Sequence, residues 1–243
     1  MGGGLSLVEA CSPDAIKTAI RARAARFRPH GQKDDDPFDP VCRHFLLRAD
    51  CAAAPVGGFR LQLFANGAAA ASGYSARSYD LSPLARVGRP VGELGRFWLD
   101  APEGHAEGHA AGGAAAGLRL LLAGLTRLVL ANRIALLFGC ASFPGAEACA
   151  HAAALTWLRA RHAGPAGLAP KAWHPAPVAA AAPSPMSLPP LLRLHLSAGA
   201  WVGPDAVEDA DLGTTHVFMA LEPALVPPAR ARALKALARL AAK

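Results

Sequence analysis

Residues 138–145 read FGCASFPG and follow the apolar run Ile134-Ala135-Leu136-Leu137. A continuous apolar run of this length, closed by small residues and a Pro-Gly pair, has the pattern of a buried strand. The strand is expected to end near Gly139, leaving backbone groups open at its end. About 40 residues upstream, Val91 to Leu99 forms a second strand candidate that carries Glu93-Leu94-Gly95-Arg96. Two strands that end near each other, one bearing an acid and a base, suit a site where an acyl group meets an amine.

Working outward, Pro13 to Arg28 reads as a helix. Ser12 is placed as its N-cap, Pro13 in its first turn and Asp14 near its positive end. Residues 29–40 (PHGQKDDDPFDP) are polar and turn-rich and read as a loop. Residues 5–10, 44–48 and 56–64 are strand candidates. In the last, Phe59, Leu61 and Leu63 alternate with Arg60 and Gln62, the period of a half-exposed strand.

Further along, residues 66–90 read as loop with short structure around Tyr74 to Leu84, a glycine-rich turn at 108–113 opens a helix over 114–131, and a helix spans 147–162. Residues 164–190 are rich in Pro and Ala and read as an irregular excursion. A helix at 191–197, a strand near Ala200, a strand over 214–221 and a basic helix over 228–243 complete the order. The pattern predicts an α/β (α+β) fold in one domain over 1–226, with 227–243 as a basic amphipathic helix. Its central sheet is expected to be mixed, largely antiparallel and flanked by helices.

Composition narrows the function. The longest apolar region, Leu118 to Cys140, is interrupted by Arg119, Arg127 and Arg133. It therefore lacks the uninterrupted stretch of about 18 apolar residues that marks a membrane span. The first residues lack the pattern of a secretion signal, and five cysteines fall without a C-x-x-C pair. Both point to a reducing, cytoplasmic setting.

The net charge of +7 favours acidic partners. Aromatic residues make up 6% of the chain and its basic residues are spread out, which argues against nucleic acid. Cys140 and Ser142 have no G-x-S-x-G elbow around them and no identifiable base. His105 and His109 are four apart, but Gly104 and Gly108 weaken the helix that a zinc pair needs, so no metal is expected.

The segments ELGR (93–96), FGCASFPG (138–145), LPPLLRLHLSAGAWVG (188–203) and DLGTTHVFMAL (211–221) resemble the ornithine-lipid acyltransferase family. That family is similar in fold to the GNAT acyltransferases and, more distantly, to acyl-homoserine-lactone synthases. The resemblance spans roughly residues 12–222. Upstream, DPFD (36–39), CRH (42–44), GFRL (58–61), SGYS (72–75) and YDL (79–81) match in order. Four elements differ from the family pattern: Arg21-Ala22-Arg23-Ala24-Ala25 lacks its aromatic pair, Arg96-Phe97-Trp98-Leu99 stands where R-S-C-V is usual, PEGHAEGHAAGG (102–113) replaces the following Y-R, and Arg193-Leu194-His195 stands where K-G-Y is usual.

The resemblance implies transfer of a 3-hydroxy fatty acyl group to the α-amino group of ornithine. The donor would be the acyl-phosphopantetheine of acyl carrier protein, with no bound cofactor. It carries the family's charged positions onto Arg21 or Arg23, Asp36, Asp39, Arg60, Glu93 and Arg96. Ornithine has two amines and one carboxylate. Asp36, Asp39 and Glu93 are then expected to meet the amines, and Arg60 or Arg96 the carboxylate. Glu93 is the expected base, with Arg96 beside it as a catalytic partner. Phe97 is expected beside the acyl chain, and Cys140 and Ser142 beside the substrate at the strand end.

Because the product is an amphiphile and the tail is basic, contact with an anionic inner-membrane surface is also expected. The rival reading is a non-catalytic carrier- or lipid-binding relative, or an acyltransferase for another amine.

Overall fold

A computed structural model describes residues 4–28, 32–50, 52–100 and 107–240, with residues 107–112 described in backbone only. In chain order the elements are β1 (Leu5–Glu9), α1 (Pro13–Phe27), β2 (Arg43–Ala49), β3 (Gly57–Phe64), β4 (Tyr79–Asp80) and β5 (Val91–Leu99). They continue with α2 (Glu107–Ala131), β6 (Leu136–Pro144), α3 (Ala152–Arg161), β7 (Lys171–Ala172), α4 (Pro190–Ser197), β8 (Trp201–Asp209), β9 (Thr214–Leu221) and α5 (Pro228–Leu240). The chain divides into two compact units. The first holds Met1–Gln62, Leu94–Asn132 and Pro228–Lys243, and the second holds Leu63–Glu93 and Arg133–Pro227.

In the first unit the strand order is β1-β2-β3-β5, with β2 antiparallel to both β1 and β3. α1 starts as its sequence predicts: the Ser12 hydroxyl accepts the Ala15 N–H at 3.2 Å, and Pro13 and Asp14 occupy the first turn. α2 packs over β1 and β2. Its Leu121 and Leu125, one turn apart, are buried, and the Leu47 and Leu99 side chains reach the backbone at Gly117. α5 packs along α2 and buries Ala238.

In the second unit the order is β3-β5-β6-β9-β8. β5 pairs parallel with β6, and β9 pairs antiparallel with β6 and β8. Period-two alternation gives β6 and β9 two apolar faces. On one, Phe138 and Phe218 pack with Tyr79, Leu81, Leu84 and Trp201. On the other, Phe143 and Val217 pack beneath Leu155 and Leu158 of α3 and Leu192 and Leu196 of α4. α4 ends where Gly199 takes φ +93°, a left-handed conformation that costs glycine little.

Four expectations are corrected. β6 does not end at Gly139. It runs to Pro144, paired to β9 from Leu137↔Leu221 to Pro144↔Thr214, because Phe143 contributes a buried side chain. β3 is buried on both faces, since Arg60 meets carboxylates there instead of water. The turn expected at 108–113 is helical, as alanine propensity over 110–116 outweighs the glycines. The 164–190 excursion contains β7, which pairs with β4 in a two-stranded sheet of its own.

Among the described residues, Gly113–Ala131 is one helix long and apolar enough to cross a membrane, by length and composition alone. His105 lies outside the described residues, and His109 is described in backbone only.

Candidate active site

The second unit holds Glu93. The parallel register of β5 with β6 consists of Val91↔Leu136, Gly92↔Leu137 and Glu93↔Phe138. Glu93 is thus the last residue of β5 in that register, and its side chain is buried, 5% exposed. Its Oε1 accepts the Ser75 N–H at 2.6 Å and its Oε2 accepts the Tyr74 N–H at 2.8 Å. Two backbone dipoles aimed at one carboxylate fix its orientation. Gly73 makes room for this: a Cβ there would lie 2.5 Å from Glu93 Oε2.

Around Glu93, the Ser75 hydroxyl lies 3.5 Å from Cys140 Sγ. Beyond Phe138, β6 keeps only its β9 partner within the second unit. In an antiparallel pair every second residue turns its N–H away from its partner strand, so the stretch Gly139–Ser142 presents donors on the side away from β9. Ser142 is exposed and lies opposite His216, whereas Cys140 is half-buried opposite Phe218. The Tyr79 hydroxyl donates to the His216 carbonyl at 3.0 Å and lies 3.0 Å from His216 Nδ1. Burial lowers the pKa of the His216 imidazole and is the main cause that pushes the Tyr79 phenol up.

The first unit holds a buried network of arginines and aspartates. Arg23 of α1 donates through Nε to Asp34 Oδ2 at 2.6 Å, through Nη2 to the Asp34 carbonyl at 2.8 Å and through Nη1 to Asp39 Oδ1 at 2.6 Å. Arg60 of β3 reaches Asp39 Oδ1 and Asp36 Oδ2, each at 2.8 Å. Arg96 of β5 donates through Nε to Asp34 at 3.0 Å and through Nη2 to Asp36 at 3.2 Å. Arg28 adds a contact to Asp34 at 3.1 Å. His44, kept neutral mainly by burial, donates to the Asp39 carbonyl at 3.0 Å.

Three carboxylates and four guanidiniums therefore share this interior. Burial by itself would raise the Asp34 carboxyl, but hydrogen bonding and charge from Arg96 and Arg23 hold it down at about 2. The same balance, led among the lowering causes by Arg60, lowers Asp36. Burying such ions costs several kcal/mol each unless they are fully paired, so the network is stable only intact. Arg96 reaches it from a left-handed backbone, φ +49°, which turns β5 locally. Its guanidinium also sits over the Phe27 ring, 5.5 Å from the centroid.

These positions reassign several expectations. Asp36 pairs with Arg60 and Arg96 through Oδ2 and accepts the Phe38 N–H through Oδ1, and Asp39 pairs with Arg23 and Arg60. Arg60 and Arg96 likewise face carboxylates of the chain itself. Arg23 enters the network, whereas Arg21, two residues away and so on the opposite side of α1, is exposed. Phe97 extends an aromatic row, with its ring 6.0 Å from Phe59, which stacks on Phe45 at 4.9 Å.

Asp34, fully buried, escaped the sequence reading. The one available signal was the alternation in Asp34-Asp35-Asp36, of which only Asp35 is exposed. Among the described residues no three His, Cys, Asp or Glu side chains are arranged to hold a metal ion.

Comparison with known proteins follows this geometry. Residues 19–103 match the acetyltransferase (GNAT) domain family. FeeM, an N-acyl amino acid synthase from uncultured soil microbes, superposes with a TM-score of 0.51 at 13% identity, over 98% of each chain. That likeness bears out the α/β, GNAT-like fold. The L-ornithine N(alpha)-acyltransferase of Brucella abortus (strain 2308) is 32% identical over 207 residues, 78% of this chain and 70% of the relative. That of Rhodobacter capsulatus is 32% identical over 201 residues, 77% of this chain and 73% of the relative. Fold and relatives together define an N-acyltransferase of the GNAT class. Within that class, the chain belongs to the L-ornithine N(alpha)-acyltransferase family.

Proposed function

We propose that this chain moves a 3-hydroxy fatty acyl group from acyl carrier protein to the α-amino group of L-ornithine, giving lyso-ornithine lipid. The observation that carries this reading is the 32% identity to ornithine acyltransferases over 78% of the chain. The geometry at Glu93 supplies the chemistry. An α-amino group is largely protonated near neutral pH and must lose a proton to attack. Glu93, aimed by the Tyr74 and Ser75 N–H groups, takes that proton directly or through one water.

The amine nitrogen then bonds to the thioester carbonyl carbon. The tetrahedral oxyanion is met by backbone N–H groups of the Gly139–Ser142 stretch, with Cys140 and Ser142 bordering the thioester. As the intermediate collapses and the C–S bond breaks, the nitrogen releases its second proton to solvent water, and the phosphopantetheine sulfur leaves as the thiol with the proton that Glu93 took from the ammonium. The product is an amide, and no covalent enzyme intermediate forms.

In this reading Arg96, Arg23, Arg60, Asp36 and Asp39 are positioning residues. They set the path of β5 and of the loop over 34–41, and orientation of amine against thioester supplies much of the rate.

The acids expected for ornithine's amines are paired with arginines, and that observation favours testing other acceptors alongside it. Purified protein is incubated with 3-hydroxyacyl carrier protein and ornithine, lysine, glycine or glutamine, and products are read by mass spectrometry. N-acyl-ornithine is the expected product. Product from a different amine only would reassign the acceptor, and no product from any of the four would overturn the reading.

A further inference from the structure

The positive charge of this chain sits in two places. Residues 113–132, most of α2, and residues 228–243, which include α5, contain seven of the 25 basic residues and none of the 18 acidic ones. The rest of the chain holds 18 basic and 18 acidic residues, so these two segments account for the whole net charge of +7. Both segments belong to the first unit, and the two helices pack on each other.

The face they form is apolar as well as basic. On α2 between 113 and 131 only Gly117, Leu121, Ala123 and Leu125 are buried. Arg119 and Arg127 are exposed, and Leu130 is 48% exposed. On α5, Arg232, Lys235 and Arg239 follow at i, i+3 and i+7, a single stripe, and all three are exposed. Leu240, at the end of that helix, is 69% exposed.

We propose that this α2–α5 face is a docking surface for an anionic lipid bilayer. Cations interleaved with exposed leucines, with no acid among them, match the boundary between phosphate headgroups and acyl chains. The long arginine and lysine stems lie along the apolar layer and carry their charges outward to the phosphates. An acidic protein partner would be served by the cations alone and would leave Leu130 and Leu240 without a role. The surface is independent of the acyl acceptor and of Glu93, so it stands or falls apart from the proposed reaction.

The test uses the full chain and vesicles of phosphatidylcholine, with or without phosphatidylglycerol. Co-sedimentation is expected to rise at least about tenfold with the anionic lipid and to weaken with added salt. The variant R232E/K235E/R239E is expected to lose that gain while keeping its circular dichroism and its transfer from carrier protein in vesicle-free solution. Equal binding to both vesicle types, or full vesicle binding by the variant, overturns the proposal. Loss of carrier-dependent transfer in solution by the variant would make the face a protein dock, and overturns it too.

Discussion

The backbone N–H of Ser75 points at Glu93 Oε1 across 2.6 Å, although 18 residues separate the two. With the Tyr74 N–H on the other oxygen, the carboxylate is clamped from one side by a turn. Glu93→Gln would replace one acceptor oxygen with an NH2 group facing an N–H. That mismatch costs about 1–3 kcal/mol of stability. If Glu93 is also the base, turnover falls by about 100-fold or more while the protein stays folded at 25 °C. Paired kcat and thermal melting measurements separate the two effects, and near-normal turnover would remove Glu93 from catalysis.

Gly73 offers a gentler handle on the same group. A Cβ at this position would lie 2.5 Å from Glu93 Oε2, 3.0 Å from Phe64 Cζ and 3.1 Å from the Ala70 carbonyl oxygen. Gly73→Ala must shift the carboxylate without removing it. The expected result is a fall in kcat with the amine KM less affected, since a misplacement of about 1 Å can cost about 100-fold. Wild-type kinetics would mean that the position of the carboxylate does not matter.

The Arg–Asp network should behave as one unit. Asp34→Asn leaves Arg23, Arg28 and Arg96 facing a neutral amide in a dry interior, at a cost of about 3–5 kcal/mol. Urea denaturation is expected to show a lower midpoint with an unchanged slope. Adding Arg96→Met should cost much less than the sum of the single changes, because the second substitution removes a guanidinium that has already lost its ion pair with Asp34.

Acid sensitivity is expected in two steps. Burial is the main cause that lowers the His195 imidazole to about 4, with the Leu191 carbonyl acting weakly against it. The unfolded chain, with imidazole near its usual 6.5, binds that proton first, so stability declines as pH falls from about 6.5 to 4. The loss is about 3 kcal/mol for this one group. Asp34, held at about 2, contributes stability that persists above about pH 4 and is lost as pH falls toward 2. Urea midpoints measured across this range test both steps. His195→Leu should flatten the upper limb and leave the lower one, and an unchanged upper limb would acquit His195.

Local structure was legible where local chemistry decides it. The Ser12-Pro13-Asp14 start of α1 and the whole of β9 fall where the sequence places them, because cap and strand preferences act within a few residues. The ends of β6 and α2 were misjudged. At both, a glycine suggested a stop that packing of Phe143 or alanine propensity overrode. Glu93 and Arg96 were singled out from a four-residue segment. Their surroundings were not visible there, since the partners of Glu93 are backbone N–H groups and those of Arg96 lie 60 and 62 residues away.

The sequence alone determined the order of the longer elements, the family resemblance and the segregation of charge into two acid-free stretches, all of which are properties of residues near one another in the chain. Only the tertiary structure decided that Asp34, Asp36 and Asp39 are matched by arginines. An aspartate in a polar loop reads the same whether it faces water or a guanidinium. The difference is made by α1, β3 and β5 arriving at one point, and by the cost of leaving any of those ions unpaired once water is gone.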